Sequence, residues 1–192
     1  MAHFDLGAYF DERRALIERA LDAHLPAGDS EPKAVHEAMR YATLGGGKRL
    51  RPILALAVAE LAGGPAERFI EAACAIELVH TASLVVDDLP AMDDAATRRG
   101  KPCAHKVYGE ATTILAAVGL LSLAFSLVIR NAQACGVCNQ ADCVANRLAD
   151  AIGTRGIIHG QHDDLSFVGR DASIEQLEAA YMQKASCLFQ LA

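Results

Sequence analysis

A chain of 192 residues is long enough for one domain with a substantial apolar core. Its 52% hydrophobic and 22% charged residues give an ordinary globular balance, and a net charge of −6 excludes a general nucleic-acid binder. Trp is absent and aromatics make up 5%, so Ala, Leu, Val and Ile must fill the core, which favours helices over sheet.

The N-terminal MAHFDLGAYFDERR has no charged start running into an apolar stretch, so no signal peptide is visible and a cytoplasmic protein is expected. Phe10, Leu16, Ile17, Ala20, Leu21 and Leu25 recur at helical spacing and predict a helix over residues 9–25. Residues 26–32, with Pro26, Gly28, Asp29, Ser30 and Pro32, read as a loop. A second helix over 35–44 stops at Gly45-Gly46-Gly47. Pro52 suits the first turn of a third, which runs over 53–62 to Gly63-Gly64-Pro65. The next helix starts at Glu67 or Arg68 and continues through an apolar run at 72–86 to a cluster of aspartates. Arg98-Arg99-Gly100-Lys101-Pro102 reads as a turn. Residues 110–129 are nearly all apolar, but the most apolar stretch, 114–129, is short for a membrane span and broken by Gly and Ser. It is expected to be a helix buried on every side at the centre of a bundle. A loop over 132–141 and helices over 142–159 and 174–192 complete the chain. No alternating β-branched run and no repeat is visible. The expected fold is all-α, an antiparallel helical bundle in a single domain over 1–192.

Cys74, Cys103, Cys135, Cys138, Cys143 and Cys187 are expected to be reduced. Cys135-Gly-Val-Cys138 has metal-ligand spacing but lacks a second ligand pair.

Chemistry concentrates at Asp87 to Arg99, DDLPAMDDAATRR, which holds four carboxylates and two guanidiniums. Carboxylates this crowded repel one another unless a cation sits among them, and hard oxygen donors suit Mg²⁺. Arg98 and Arg99 add planar forks matched to phosphate oxygens. A solvated acidic helix end is the plain alternative, but Asp87 and Asp88 close an apolar helix and Pro90 fixes a turn beside them. The second cluster is GGGKRLRP at Gly45 to Pro52, where glycines permit close approach and Lys48 and Arg51 offer charge for a diphosphate. The spacing is not that of an NTPase phosphate loop. His80 lies two turns before Asp87 on one helical face.

Together these motifs resemble the trans-type isoprenyl diphosphate synthases, the all-α polyprenyl synthetases. GGKRLRP is similar to that family's isopentenyl diphosphate motif, and DDLPAMD with RRGKP to its first aspartate-rich motif. His105-Lys106, Gly109-Glu110, Gly160-Gln161 with Asp164-Leu165, and Lys184 fall in the family's order, so the resemblance covers essentially the whole chain. HTASLVVDDLPAMD is most similar to bacterial geranylgeranyl diphosphate synthases. The resemblance implies that Lys48, Arg51, His80 and Arg99 hold isopentenyl diphosphate. It implies that Asp87 and Asp93 ligate Mg²⁺ on the allylic diphosphate, which Arg98 and Lys184 also contact; Asp87, Asp93 and Lys184 would be the catalytic set. The implied reaction is ionisation of the allylic C–O bond, attack by the isopentenyl double bond and loss of a proton. The implied product is a C20 chain from farnesyl diphosphate, since the small Ala82, followed by Ser83, precedes the first aspartates.

Two departures stand out. Ala185 occupies the place of the family's Thr, and the second aspartate-rich motif is missing. Residues 186–192 are apolar and uncapped, so the chain is expected to be cut inside a helix and to lack the family's C-terminal part. Low or absent activity alone is therefore expected. The alternative reading is an inactive remnant, or a regulatory subunit pairing with a full-length synthase in place of the family's homodimer. A terpene cyclase is disfavoured, because it needs no isopentenyl site.

Overall fold

The computed structural model describes residues 4–192, without the side chain of Cys138. The first three residues of the leader reading and one thiol of the Cys135–Cys138 pair therefore lie outside the described residues. Helices α1 (Leu6–His24), α2 (Lys33–Leu44) and α3 (Leu50–Leu61) are followed by a 3₁₀ turn, Ala66–Phe69, that leads into α4 (Ile70–Asp87). Strands β1 (Thr97–Arg98) and β2 (Lys101–Pro102) form a small antiparallel hairpin. The remaining helices are α5 (Ala104–Tyr108), α6 (Glu110–Ala134), α7 (Ala141–Ile152), α8 (Ile157–Phe167), α9 (Ile174–Tyr181) and α10 (Cys187–Leu191). The all-α expectation holds, and the hairpin occupies the expected Arg98–Pro102 turn.

Most predicted helices match within a few residues, because apolar periodicity and turn residues agree there. The first begins earlier than periodicity suggested, since Asp5 accepts a hydrogen bond from the Ala8 amide at 3.0 Å and caps it. The helix expected over 142–159 is split into α7 and α8. Gly153 and Gly156 sit at the break, where a Cβ on Gly156 would lie 2.1 Å from the Ala151 carbonyl oxygen. The helix expected over 174–192 is helical throughout but contains a π turn, Met182–Ser186, between α9 and α10.

Burial of α6 also differs from expectation. Ala116, Leu120, Ala124 and Leu127 pack into the core against Leu78, Ala82 and Val85 of α4. The opposite face leaves Ile114, Leu115 and Val118 exposed, Val118 at 59%. By length and composition both α4 and α6 could cross a membrane; α4, however, is closed over by α1, α2, α3 and α6. An apolar sequence shows only that a face prefers to be out of water, and on α6 that preference is met on one side.

The π turn packs closely on α8. Gly160 of α8 lies so close to it that a Cβ there would sit 2.2 Å from the Lys184 backbone nitrogen and 2.8 Å from the Ala180 carbonyl. Gly160→Ala is expected to destabilise the protein by about 1–3 kcal/mol through overpacking against backbone. Urea denaturation of the two forms would measure it.

Candidate functional site

One face of α4 organises the site. Glu77, His80, Leu84 and Asp87 recur at spacings of three, four and three, so they line one stripe roughly 15 Å long. At its upstream end the glycine turn and the start of α3 bring a cluster of cations over the stripe. Gly46 and Gly47 have φ of 93° and 142°, and Arg49 is itself left-handed at 51°. That conformation costs a non-glycine residue about 1–2 kcal/mol, and the contacts of Arg49 offset it. Its Nε donates to Glu18 at 2.7 Å, one terminal nitrogen to Glu77 at 2.6 Å and the other to the Thr43 carbonyl at 2.6 Å. Arg49 and Glu77 are each 2% exposed. Burial pushes the Glu77 carboxyl up, and the Arg49 guanidinium works against that shift.

Lys48, Arg51, His80 and Arg99 line a cleft of about 540 Å³ together with the glycine turn. The four residues expected at an isopentenyl diphosphate are therefore brought together. Arg99 arrives from the hairpin. Arg99 and Gly100 have φ of 54° and 77°, the two positive values of a type I′ turn, which matches strand twist. From there Arg99 crosses the glycine turn and donates to the Gly46 carbonyl. A Cβ on Gly47 would lie 2.8 Å from its guanidinium carbon, so that glycine leaves room for the arginine as well as for a ligand. His80 Nε2 is 3.3 Å from an Arg51 nitrogen. Burial, with Arg51, Arg99 and other arginines nearby, pulls the His80 pKa down to about 3, so the ring is neutral at physiological pH.

At the downstream end α4 stops at Asp87 and the chain folds back instead of continuing as helix. The Asp93 amide donates to the Asp87 carbonyl at 3.0 Å, and the Ala95 amide to the Asp88 carbonyl at 3.2 Å. Asp93 is thus set beside Asp87, while Asp94 turns away and pairs with Lys106 at 3.2 Å. Burial and the neighbouring Asp87 carboxylate raise the Asp93 pKa. Two hard oxygen donors that disfavour each other's charge fit a divalent cation such as Mg²⁺. Among the described residues no three His, Cys, Asp or Glu side chains converge into a closed metal cage. Such an open pair suits Mg²⁺ held partly by substrate phosphates.

Asp87 Oδ1 accepts from Gln161 at 2.7 Å and from Lys184 at 3.2 Å, and Lys184 also reaches Asp164 at 2.6 Å. Burial opposes the Lys184 charge, but the bonds to Asp164 and Asp87 outweigh it and its pKa is raised. Arg98 is placed differently from Arg99: it pairs with Asp88, with Asp87 at 3.7 Å. Beside the carboxylates an apolar cavity of about 410 Å³ opens between α4, α6 and α8, lined by Val79, Ala82, Ser83, Val86, Leu121 and Leu165.

Sequence reasoning missed two features. The Glu18–Arg49–Glu77 group was one, although a carboxylate inside an apolar helix three residues before His80 was a signal for it. The hydrogen bond from Gln161 to Asp87 was the other: Gly160-Gln161 was read as part of a motif, but nothing local says which carboxylate the side chain meets.

The sequence matches the family model described as polyprenyl synthetase over residues 32–192. It is 44% identical over 190 residues to geranylgeranyl pyrophosphate synthase 4 of Arabidopsis thaliana, covering 97% of this chain and 50% of that protein. Identity is 43% over 192 residues to heterodimeric geranylgeranyl pyrophosphate synthase large subunit 1, chloroplastic, of the same plant, covering 97% and 51%. The fold matches the apo crystal structure of an FPP/GFPP synthase from Zymomonas mobilis with a TM-score of 0.90 and 31% identity, over 96% of this chain and 66% of that one. The chain spans about half the length of the curated relatives it matches.

Two outcomes are expected from this geometry. Arg49→Met leaves the Glu77 charge buried and unpaired and should cost about 3–5 kcal/mol, whereas apolar replacement of Glu18, Arg49 and Glu77 together should recover most of that. Denaturation midpoints of the single and triple variants would show it. For His80, the unfolded chain protonates near 6.5 and the folded one near 3. Between those values the unfolded state binds the extra proton, so stability falls as pH drops below about 6.5, by at most ~1.4 kcal/mol per pH unit. Urea midpoints at pH 7 and pH 5 should differ less in His80→Gln than in the parent.

Proposed function

The chain belongs to the polyprenyl synthetase family, and on that premise we propose that it binds isopentenyl diphosphate and an allylic diphosphate and condenses them. The observation that carries this reading is the pairing of two charged subsites along one face of α4 with an apolar cavity beside the downstream one. Lys48, Arg51 and Arg99 are the cations for the isopentenyl diphosphate, and the neutral His80 offers one ring nitrogen to it. Asp87 and Asp93 would hold Mg²⁺, whose charge offsets that of the departing allylic diphosphate. Lys184 and Arg98 stand on the same side and donate to oxygens that gain charge as the C–O bond breaks. Gln161 orients Asp87 by its hydrogen bond. The apolar cavity receives the hydrocarbon tail and keeps water from the allylic cation. The isopentenyl double bond then attacks that cation, and loss of a proton completes the product.

A geranylgeranyl product from farnesyl diphosphate is the finer part of the proposal. It is supported by geranylgeranyl synthases among the relatives and by Ala82, a small side chain in the wall of the cavity. A second reading, a subunit that pairs with a complete synthase, is supported by the exposed stripe of Ile114, Leu115 and Val118 on α6 and by a relative described as heterodimeric. The same stripe would serve a homodimer. A reducing, cytoplasmic setting is part of the proposal, in keeping with the free thiols Cys74, Cys103, Cys135, Cys143 and Cys187.

The test is turnover of radiolabelled isopentenyl diphosphate with farnesyl diphosphate and Mg²⁺, with the chain alone and mixed with a full-length synthase. A C20 product from the chain alone establishes the synthase, and Asp93→Asn should then lower turnover on the order of 10²-fold or more. Altered output only in the mixture establishes the subunit reading. No product and no effect in either arrangement overturns both.

A further inference from the structure

Arg51 stands where the two charged subsites meet, lining both the 540 Å³ cleft and a smaller chamber of about 130 Å³ that it shares with Asp87 and Lys184. Its guanidinium has unusual company for a half-buried cation. Glu77, the carboxylate that acts on it through space, is already closed on Arg49 at 2.6 Å. Its Nε is buried with no hydrogen-bond partner among the described residues, and a terminal nitrogen lies 3.3 Å from the neutral His80. What holds it is an aromatic face: the guanidinium carbon lies 4.4 Å from the centre of the Phe189 ring. A cation over a ring face at that distance is attracted without any of its N–H donors being used. The terminal donors not turned to His80 stay free for an anion.

We propose that Phe189 is a positioning residue for the diphosphate site, its ring face fixing the Arg51 guanidinium beside the cleft before ligand arrives. The proposal rests on the reading of that cleft as the isopentenyl diphosphate site. Phe189 belongs to α10, more than a hundred residues from the glycine-rich motif, and no motif includes it. It is 36% exposed, with part of its surface covered by the arginine. An arginine side chain left free spreads over many rotamers, and binding must then remove that freedom. A ring that removes it beforehand lowers the cost of binding.

The test is titration of isopentenyl diphosphate into the 192-residue chain by calorimetry in EDTA, which removes the metal-dependent subsite. The variants are Phe189→Leu, Phe189→Tyr, Arg51→Gln and the Phe189→Leu/Arg51→Gln double. Phe189→Leu keeps apolar bulk without a ring face and should weaken binding by about tenfold, while Phe189→Tyr keeps the face and should bind like the parent. On the Arg51→Gln background Phe189→Leu should cost nothing further, an outcome that a merely structural role would not give. Parent-like binding by Phe189→Leu, equal weakening by both Phe189 variants, or additive losses in the double would each overturn the proposal. A parent that does not bind while keeping its helical circular dichroism would overturn the cleft assignment itself. A parent that binds, with Arg51→Gln losing affinity and Phe189→Leu not, removes only the role of Phe189.

Discussion

Arg49 is the constraint on which the upstream half of the site depends. A guanidinium out of water is tolerable only if its donors are taken up, and three are, by two carboxylates and a carbonyl from α1, α4 and the end of α2. Those bonds fix the turn before α3 relative to the central helix. They also decide the division of labour among neighbours in GGKRLRP. Arg49, left-handed and bonded through all three nitrogens, is held in the wall of the cleft, while Lys48 and Arg51 on either side line it without a carboxylate bonded to them among the described residues. A buried ion group of this kind adds little net stability over a well-packed apolar core, but it selects one arrangement of three helices.

A second clamp joins motifs that lie far apart in the chain. Arg99 enters from a hairpin turn whose backbone demands positive φ at both central residues, and it closes on the Gly46 carbonyl. An arginine in that conformation runs against ordinary turn chemistry, where Asn or Asp would be favoured before glycine. The exception falls where the residue must carry charge into a cleft, as expected when function overrides local propensity. Downstream, the fold-back after Asp88 does similar work for Asp93 with two backbone hydrogen bonds.

Much of this was legible in the sequence, and for identifiable reasons. Apolar periodicity marked α1 to α4 and α6, and the crowded acids and bases of DDLPAMDDAATRR and GGGKRLRP marked both subsites. Long-range packing was not legible. Whether Gly153 and Gly156 break a helix depends on what lies beside them, and the π turn packs against Gly160 on another helix. The exposed stripe of α6 looked like core because sequence records only polarity, not the side on which neighbours stand. Of the site, motif residues were found by their chemistry, while Glu18, Glu77, Gln161 and Phe189 act through partners that are remote in the chain.

The π turn at Met182–Ser186 has one more consequence. Such a turn amounts to one residue inserted into an α-helix, so it sets the register on both of its sides. Upstream, Ala180 enters the core; within the turn, Lys184 reaches Asp87; downstream, Leu188 enters the core and Phe189 meets Arg51. Wound as a regular helix, the same residues would swing the downstream side chains by roughly 100°. The wide turn across these five residues is therefore what puts Lys184 and Phe189 on the faces they use, and a change that drew the segment into a regular helix would misplace every side chain after it.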